Sequence, residues 1–237
     1  MSLRSHPLTP IRLCDERGFT LIETLVAVVT SLVVTFAAFS VLDISLSQSS
    51  RIADRVSADQ RGRVAMEKIV LKLHSSCVAP EVTPVEAGSE GNKLLIISQT
   101  GAEASLAKVT LHELYLEAGK LIDTSYPNTE VKPAPNWEFS KTASGTQTLL
   151  TGVTQSGATP VFQYFKYEGN KLSETTIPGK LNETQAGEVA AITVSFTTAS
   201  ESGRASKKAG ERTVDLANTV VLRFSPASTS VTNLPCA

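Results

Sequence analysis

The stretch "ERGFTLIETLVAVV", residues 16–29, decides how this chain is read. Arg17 and Gly18 stand directly before an apolar run that begins at Phe19. One acid, Glu23, sits inside that run. From Leu25 to Leu42, "LVAVVTSLVVTFAAFSVL", no charge occurs over 18 residues, which meets the lower length limit for a transmembrane helix. Phe19–Thr24 lengthens the span, with Glu23 as its one interruption. Thr30, Ser31, Thr35 and Ser40 are tolerable there, because short hydroxyls bond to backbone carbonyls of the same helix.

Working outward, Arg4, Arg12 and Arg17 precede the run and Asp43 follows it. The basic flank predicts a cytoplasmic N-terminus, with the remainder of the chain outside. An ordinary secretory signal is the competing reading. Its apolar core is about 7–15 residues, and its small-residue cleavage site follows the core. Ser45-Leu46-Ser47 is a poor candidate for such a site, whereas Arg17-Gly18-Phe19 offers a junction on the other side of the run.

The residues "RGFTLIE" resemble the class III signal of type IV prepilins and type II secretion pseudopilins. The resemblance implies that a basic leader, residues 1–18, is removed between Gly18 and Phe19 by prepilin peptidase at the cytoplasmic face. It also implies N-methylation of the new amine on Phe19. Glu23 then falls at mature position five, where the family carries its acid. The physical reading agrees: Gly18 lacks a Cβ, so the chain there can enter a protease cleft in extended form. A carboxylate in hydrocarbon is costly and needs a partner. Glu23 lies one helical turn from Phe19 and could pair with its own terminus. In the filament that the family implies, it pairs with the Phe19 amine of a neighbouring subunit. A carboxylate that snorkels to the cytoplasmic interface is the plainer alternative.

No proline occurs between Pro10 and Pro80, and Gly62 is the only glycine between Phe19 and Cys77. An unbroken helix from Phe19 to about Ser76 is expected, roughly 85 Å long at 1.5 Å per residue. Its parts are a membrane-spanning segment, 19–42, and an outer segment, 43–77. Ile52 and Val56 are one turn apart. Met66, Ile69, Val70 and Leu73 form a denser stripe at helical spacing, predicted to pack on the external domain. A coiled-coil seam is the alternative, but Asp59 and Arg63 interrupt it. "QRGRVAMEKIVLKLHSSC" resembles the end of the long helix in W-type minor pilins and J-type pseudopilins.

A β-rich external head, 78–237, follows. "KLLIIS" at Lys93–Ser98 reads as a strand. "KVTLHELYLEAGKLIDTSY" reads as a hairpin turning at Ala118-Gly119-Lys120. "VFQYFKYEGNKLSET" reads as a second hairpin turning at Glu168-Gly169-Asn170. "VAAITVSFTT" and "RTVDLANTVVLRFS" read as two more strands. "TLLTGV" with the last strands again resembles W- and J-type subunits. Pro127–Gly145, including Trp137, receives no assignment; a lone Trp is more often core or loop anchor than ligand contact. The expected fold class is α+β: a long N-terminal helix packed on an antiparallel β-sheet head, pilin-like.

The formal net charge of −1 implies no basic surface for nucleic acid. Arg204, Lys207, Lys208 and Arg212 cluster in a loop, so nucleic acid as a partner, which a DNA-uptake machine would need, has only weak support. Of three cysteines, Cys14 would leave with the leader that the resemblance implies. Cys77 and Cys236 could then pair, with a gain of roughly 2–4 kcal/mol; two free thiols are the alternative. His6, His74 and His112 are scattered, and no cluster has metal spacing. No phosphate loop or nucleophile elbow appears. Glu86, Glu90 and Glu103 read as solvated loop carboxylates, and Asn182-Glu183-Thr184 matches a glycan acceptor. No enzyme activity, metal, cofactor or small-molecule substrate is expected. The resemblance implies a minor subunit of a type IV pilus or type II secretion pseudopilus. It sits in the inner membrane by a single pass. Its partners are the prepilin peptidase, other pilin or pseudopilin subunits and assembly-platform proteins. A signal-anchored, monomeric extracytoplasmic binding module is the alternative.

Overall fold

A computed structural model describes residues 18–77, 83–100, 108–129, 137–200 and 213–222. The fold is α+β, with a long apolar N-terminal helix and antiparallel sheets. The chain divides into two units, Met1–Ser49 and Ser50–Ala237. In the first unit, helix α1 (Leu21–His74) begins, with Glu23 in its first turn. This helix is long and apolar enough to cross a membrane. Its hydroxyls turn inward to their own backbone. Thr30 Oγ1 donates to the Val26 carbonyl at 2.9 Å, Thr35 Oγ1 to Ser31 at 2.7 Å and Ser40 Oγ to Phe36 at 3.0 Å. Each of these hydroxyls is thereby satisfied without water.

In the second unit, four strands form an antiparallel meander: β1 (Lys93–Thr100), β2 (Lys108–Glu117), β3 (Lys120–Pro127) and β4 (Gly145–Thr151), in that order. The β2–β3 turn is tighter than the sequence suggested. Lys120 pairs with Glu117, so only Ala118 and Gly119 lie in the turn, at φ 47° and 73°. Two consecutive left-handed residues are what a two-residue hairpin with the twist of its strands requires. Glycine takes this conformation freely and alanine at a cost.

The second sheet holds β5 (Val153–Thr154), β6 (Phe162–Glu168), β7 (Lys171–Leu172), β8 (Val189–Ala199) and β9 (Thr213–Val221). β8 is its hub and pairs with β5, β6 and β9. Its burial is nearly continuous, which suits a strand covered on both faces. The β6–β7 turn is again two residues, Gly169 and Asn170, because Glu168 pairs with Lys171. A short helix, α2 (Glu183–Gly187), is closed by a capping box: Gln185 N–H donates to Asn182 Oδ1 at 2.8 Å, and Asn182 N–H donates to Gln185 Oε1 at 3.1 Å.

One core joins the outer half of α1 to both sheets. Ala65, Met66, Ile69 and Leu73 meet Leu94, Ile96, Leu114, Leu121 and Leu150 of the first sheet. They also meet Phe162, Tyr164, Ile192, Val194 and Phe196 of the second. The predicted stripe is therefore the packed face, and it extends further along the helix through Ala58 and Gly62. These small residues let the backbone approach closely. A Cβ on Gly62 would collide with the Leu216 side chain and lie 2.9 Å from Thr198 Cγ2. Ile52 and Val56 are not part of the core; they are 65% and 48% exposed. Arg63 and Asp59, the residues that break a coiled-coil seam, form a 2.8 Å ion pair on the helix surface.

Candidate functional site

Gly18 precedes the helix, and a Cβ there would meet nothing within 4 Å. The chain's own packing among the described residues does not demand glycine at this position. Phe19 is 79% exposed. Thr20 caps the helix: its Oγ1 accepts the Glu23 backbone N–H at 3.3 Å, and its carbonyl accepts Thr24 N–H at 3.1 Å. "TLIE", residues 20–23, has the spacing of a capping box, a signal the apolar run concealed. Only the backbone half of that box is formed, so the cap does not occupy the Glu23 carboxylate. Among the described residues, nothing hydrogen-bonds or ion-pairs with that carboxylate. A first-turn acid also complements the positive end of the helix dipole. The leader, 1–17, and with it Arg17 and Cys14, lies outside the described residues.

The end of α1 is held by a charged cluster that sequence reasoning missed. Lys72 Nζ lies 2.9 Å from Asp123 Oδ2, and His112 Nδ1 lies 2.9 Å from Asp123 Oδ1. Register explains the convergence. On adjacent strands, His112 lies opposite Ser125 and Leu114 opposite Asp123, which puts both groups on the sheet face that meets the helix. Burial alone would push the Asp123 carboxyl up. Hydrogen bonds and charges from His112 and Lys72 outweigh it and hold the carboxyl below its usual range. With Nδ1–H donated to Asp123, Nε2 of His112 is buried with no partner among the described residues. The imidazole is buried, 6% exposed.

Cys77 is fully buried and disulfide-bonded. Its expected partner, Cys236, lies outside the described residues. Cys77 and Ile97 form a small second core with Val109, Leu111, Trp137 and Phe139. Trp137 is thus an anchor that closes the outer face of the first sheet, and Phe139 is tied in through a bridge to Asn128. Glu90 is exposed as expected, but Glu86 is half-buried. Burial first, and the nearby Glu183 second, push its carboxyl up. Asn182 of the glycan-like triplet spends its side-chain oxygen on the cap of α2. Glu103 and the cluster Arg204, Lys207, Lys208 and Arg212 lie outside the described residues. Among the described residues, no group of three or more His, Cys, Asp or Glu side chains could hold a metal ion.

A shallow groove of about 470 Å³ runs between α1 and β4, lined by Gln60, Arg61, Val64 and Thr148–Thr151. Arg61 spans it and donates to Thr151 Oγ1 at 2.9 Å. No family model matches this chain, and no curated protein matches it.

Proposed function

We propose that the chain is a prepilin-like minor subunit of a type IV pilus or type II secretion pseudopilus. Prepilin peptidase cuts it between Gly18 and Phe19, and the Phe19 amine is methylated. Residues 19–42 hold it in the cytoplasmic membrane, with the N-terminus inside and the β-rich head outside. Glu23 then pairs with the Phe19 amine of an adjacent subunit and draws the next subunit into register. Help with filament initiation is the role such a subunit takes. Its task is assembly, not catalysis.

One observation carries this reading. The Glu23 carboxylate sits one turn inside an apolar helix and has no partner among the described residues, although its backbone N–H is already capped by Thr20. A carboxylate in that setting needs a cation, and cleavage after Gly18 creates one on Phe19. The open space around Gly18 also supports a role for glycine outside the fold. The test is a Glu23→Ala variant of the full chain, expressed in its own host. Normal cleavage with loss of cross-linking to neighbouring subunits is the expected result. A variant that is cleaved and enters the assembly as wild type would overturn the pairing role.

A further inference from the structure

The outer edge of the first sheet lacks the charges and prolines that commonly keep strand edges apart. β4 ends the order β1–β2–β3–β4, and among the described residues no further strand pairs with it. Natural edges are blunted by lysine, proline or inward charges. β4 reads "GTQTLLT", and the chain carries no charged residue from Thr142 to Phe165. Gly145, Thr146, Gln147 and Thr148 are all exposed. One protective device is present. Leu121 pairs with Leu150 and Ile122 with Thr148, so Leu149 is an extra residue that bulges β4 against β3. Before this bulge the strand is regular, and beside it lies the groove lined by Val64 and Leu149.

We infer that this edge pairs with the same edge of a second copy of the chain, β4 against β4, antiparallel about Gln147. Pairing about Gln147 places Thr146 of each copy opposite Thr148 of the other. The protein already uses such contacts at its own strand borders. Thr124 and Thr146 bring their hydroxyls to 3.3 Å between β3 and β4, and Thr193 and Thr219 to 2.7 Å between β8 and β9. Threonine pairs of this kind are favourable across strands, and two uncharged edges bring no repulsion. The strand edge supplies backbone donors and acceptors, which is the basis of strand-addition recognition. The inference does not depend on cleavage after Gly18 or on filament formation.

The test uses the full-length chain in detergent, with p-benzoylphenylalanine at Gln147 as photo-cross-linker. The expected product is a dimer joined between the β4 strands of two copies, located by mass spectrometry. A variant carrying Thr146→Lys and Thr148→Lys places like charges opposite each other and is expected to lower that product about tenfold. Mixing it with a Thr146→Glu, Thr148→Glu copy restores the cross-link, which a merely misfolded variant would not do. Cross-links confined to one chain, or a dimer indifferent to both variants, would overturn the inference. The indifferent dimer would point instead to association through the apolar helix. Cleavage at Gly18 is read separately from the same sample by intact mass, so the two proposals fail independently.

Discussion

Asp123 carries more of the head's stability than its place in a strand suggests. It is 5% exposed and answers both Lys72 and His112. Asp123→Asn keeps the shape and removes the charge, leaving an ammonium next to a buried imidazole. Breaking a buried pair costs about 3–5 kcal/mol, and because Lys72 keeps some contact with water the lower end is expected. Urea unfolding of the detergent-solubilised protein checks this. The same carboxyl sets a pH dependence. Its folded-state pKa lies below the unfolded value, so its contribution is fully present above about pH 4–5 and is lost as pH falls through the folded value. Wild type should lose stability in that acid window, and Asp123→Asn should lose less. Gly62 is a second decisive residue. Gly62→Leu forces a side chain into Leu216 and Thr198 and should cost about 1–3 kcal/mol in the same unfolding assay.

At the scale of elements, the hairpin β2–β3 offers a gain rather than a loss. Ala118 is the one non-glycine residue at positive φ among those described, and it is exposed. Asparagine tolerates that conformation, so Ala118→Asn should stabilise by about 1 kcal/mol, read as a shift of the urea midpoint without a change of slope. The turn was legible because Ala-Gly stands between two strand-like runs. The long helix was legible because nothing in 19–76 breaks it. Other elements were hidden for physical reasons. Ala58, Gly62 and Ala65 form a packing face, but small residues do not register as an apolar stripe. β4 is threonine-rich at its exposed end and lacks the apolar alternation that marks a half-buried strand. α2 spans only five residues, too few for a period, although Asn182 and Gln185 carry its cap. The cluster of Lys72, His112 and Asp123 depends on strand register, which no local pattern specifies. The solitary Glu23 was the opposite case, since it stands out as the one acid in an apolar run, although the Thr20 cap three residues before it went unread.

The whole molecule combines a helix apolar enough to cross a membrane with two sheets packed on that helix's outer half. The β4 edge bears on how heads meet, and the first turn of α1 bears on whether the chain is matured for assembly. That second matter is central, because the partner proposed for Glu23 exists only if a new amine is made at Phe19. N-terminal sequencing and intact mass of the protein isolated from membranes of its own host test it most directly. The account predicts a chain that starts at N-methylated Phe19. An intact Met1, or a cut near Ser47, would contradict it.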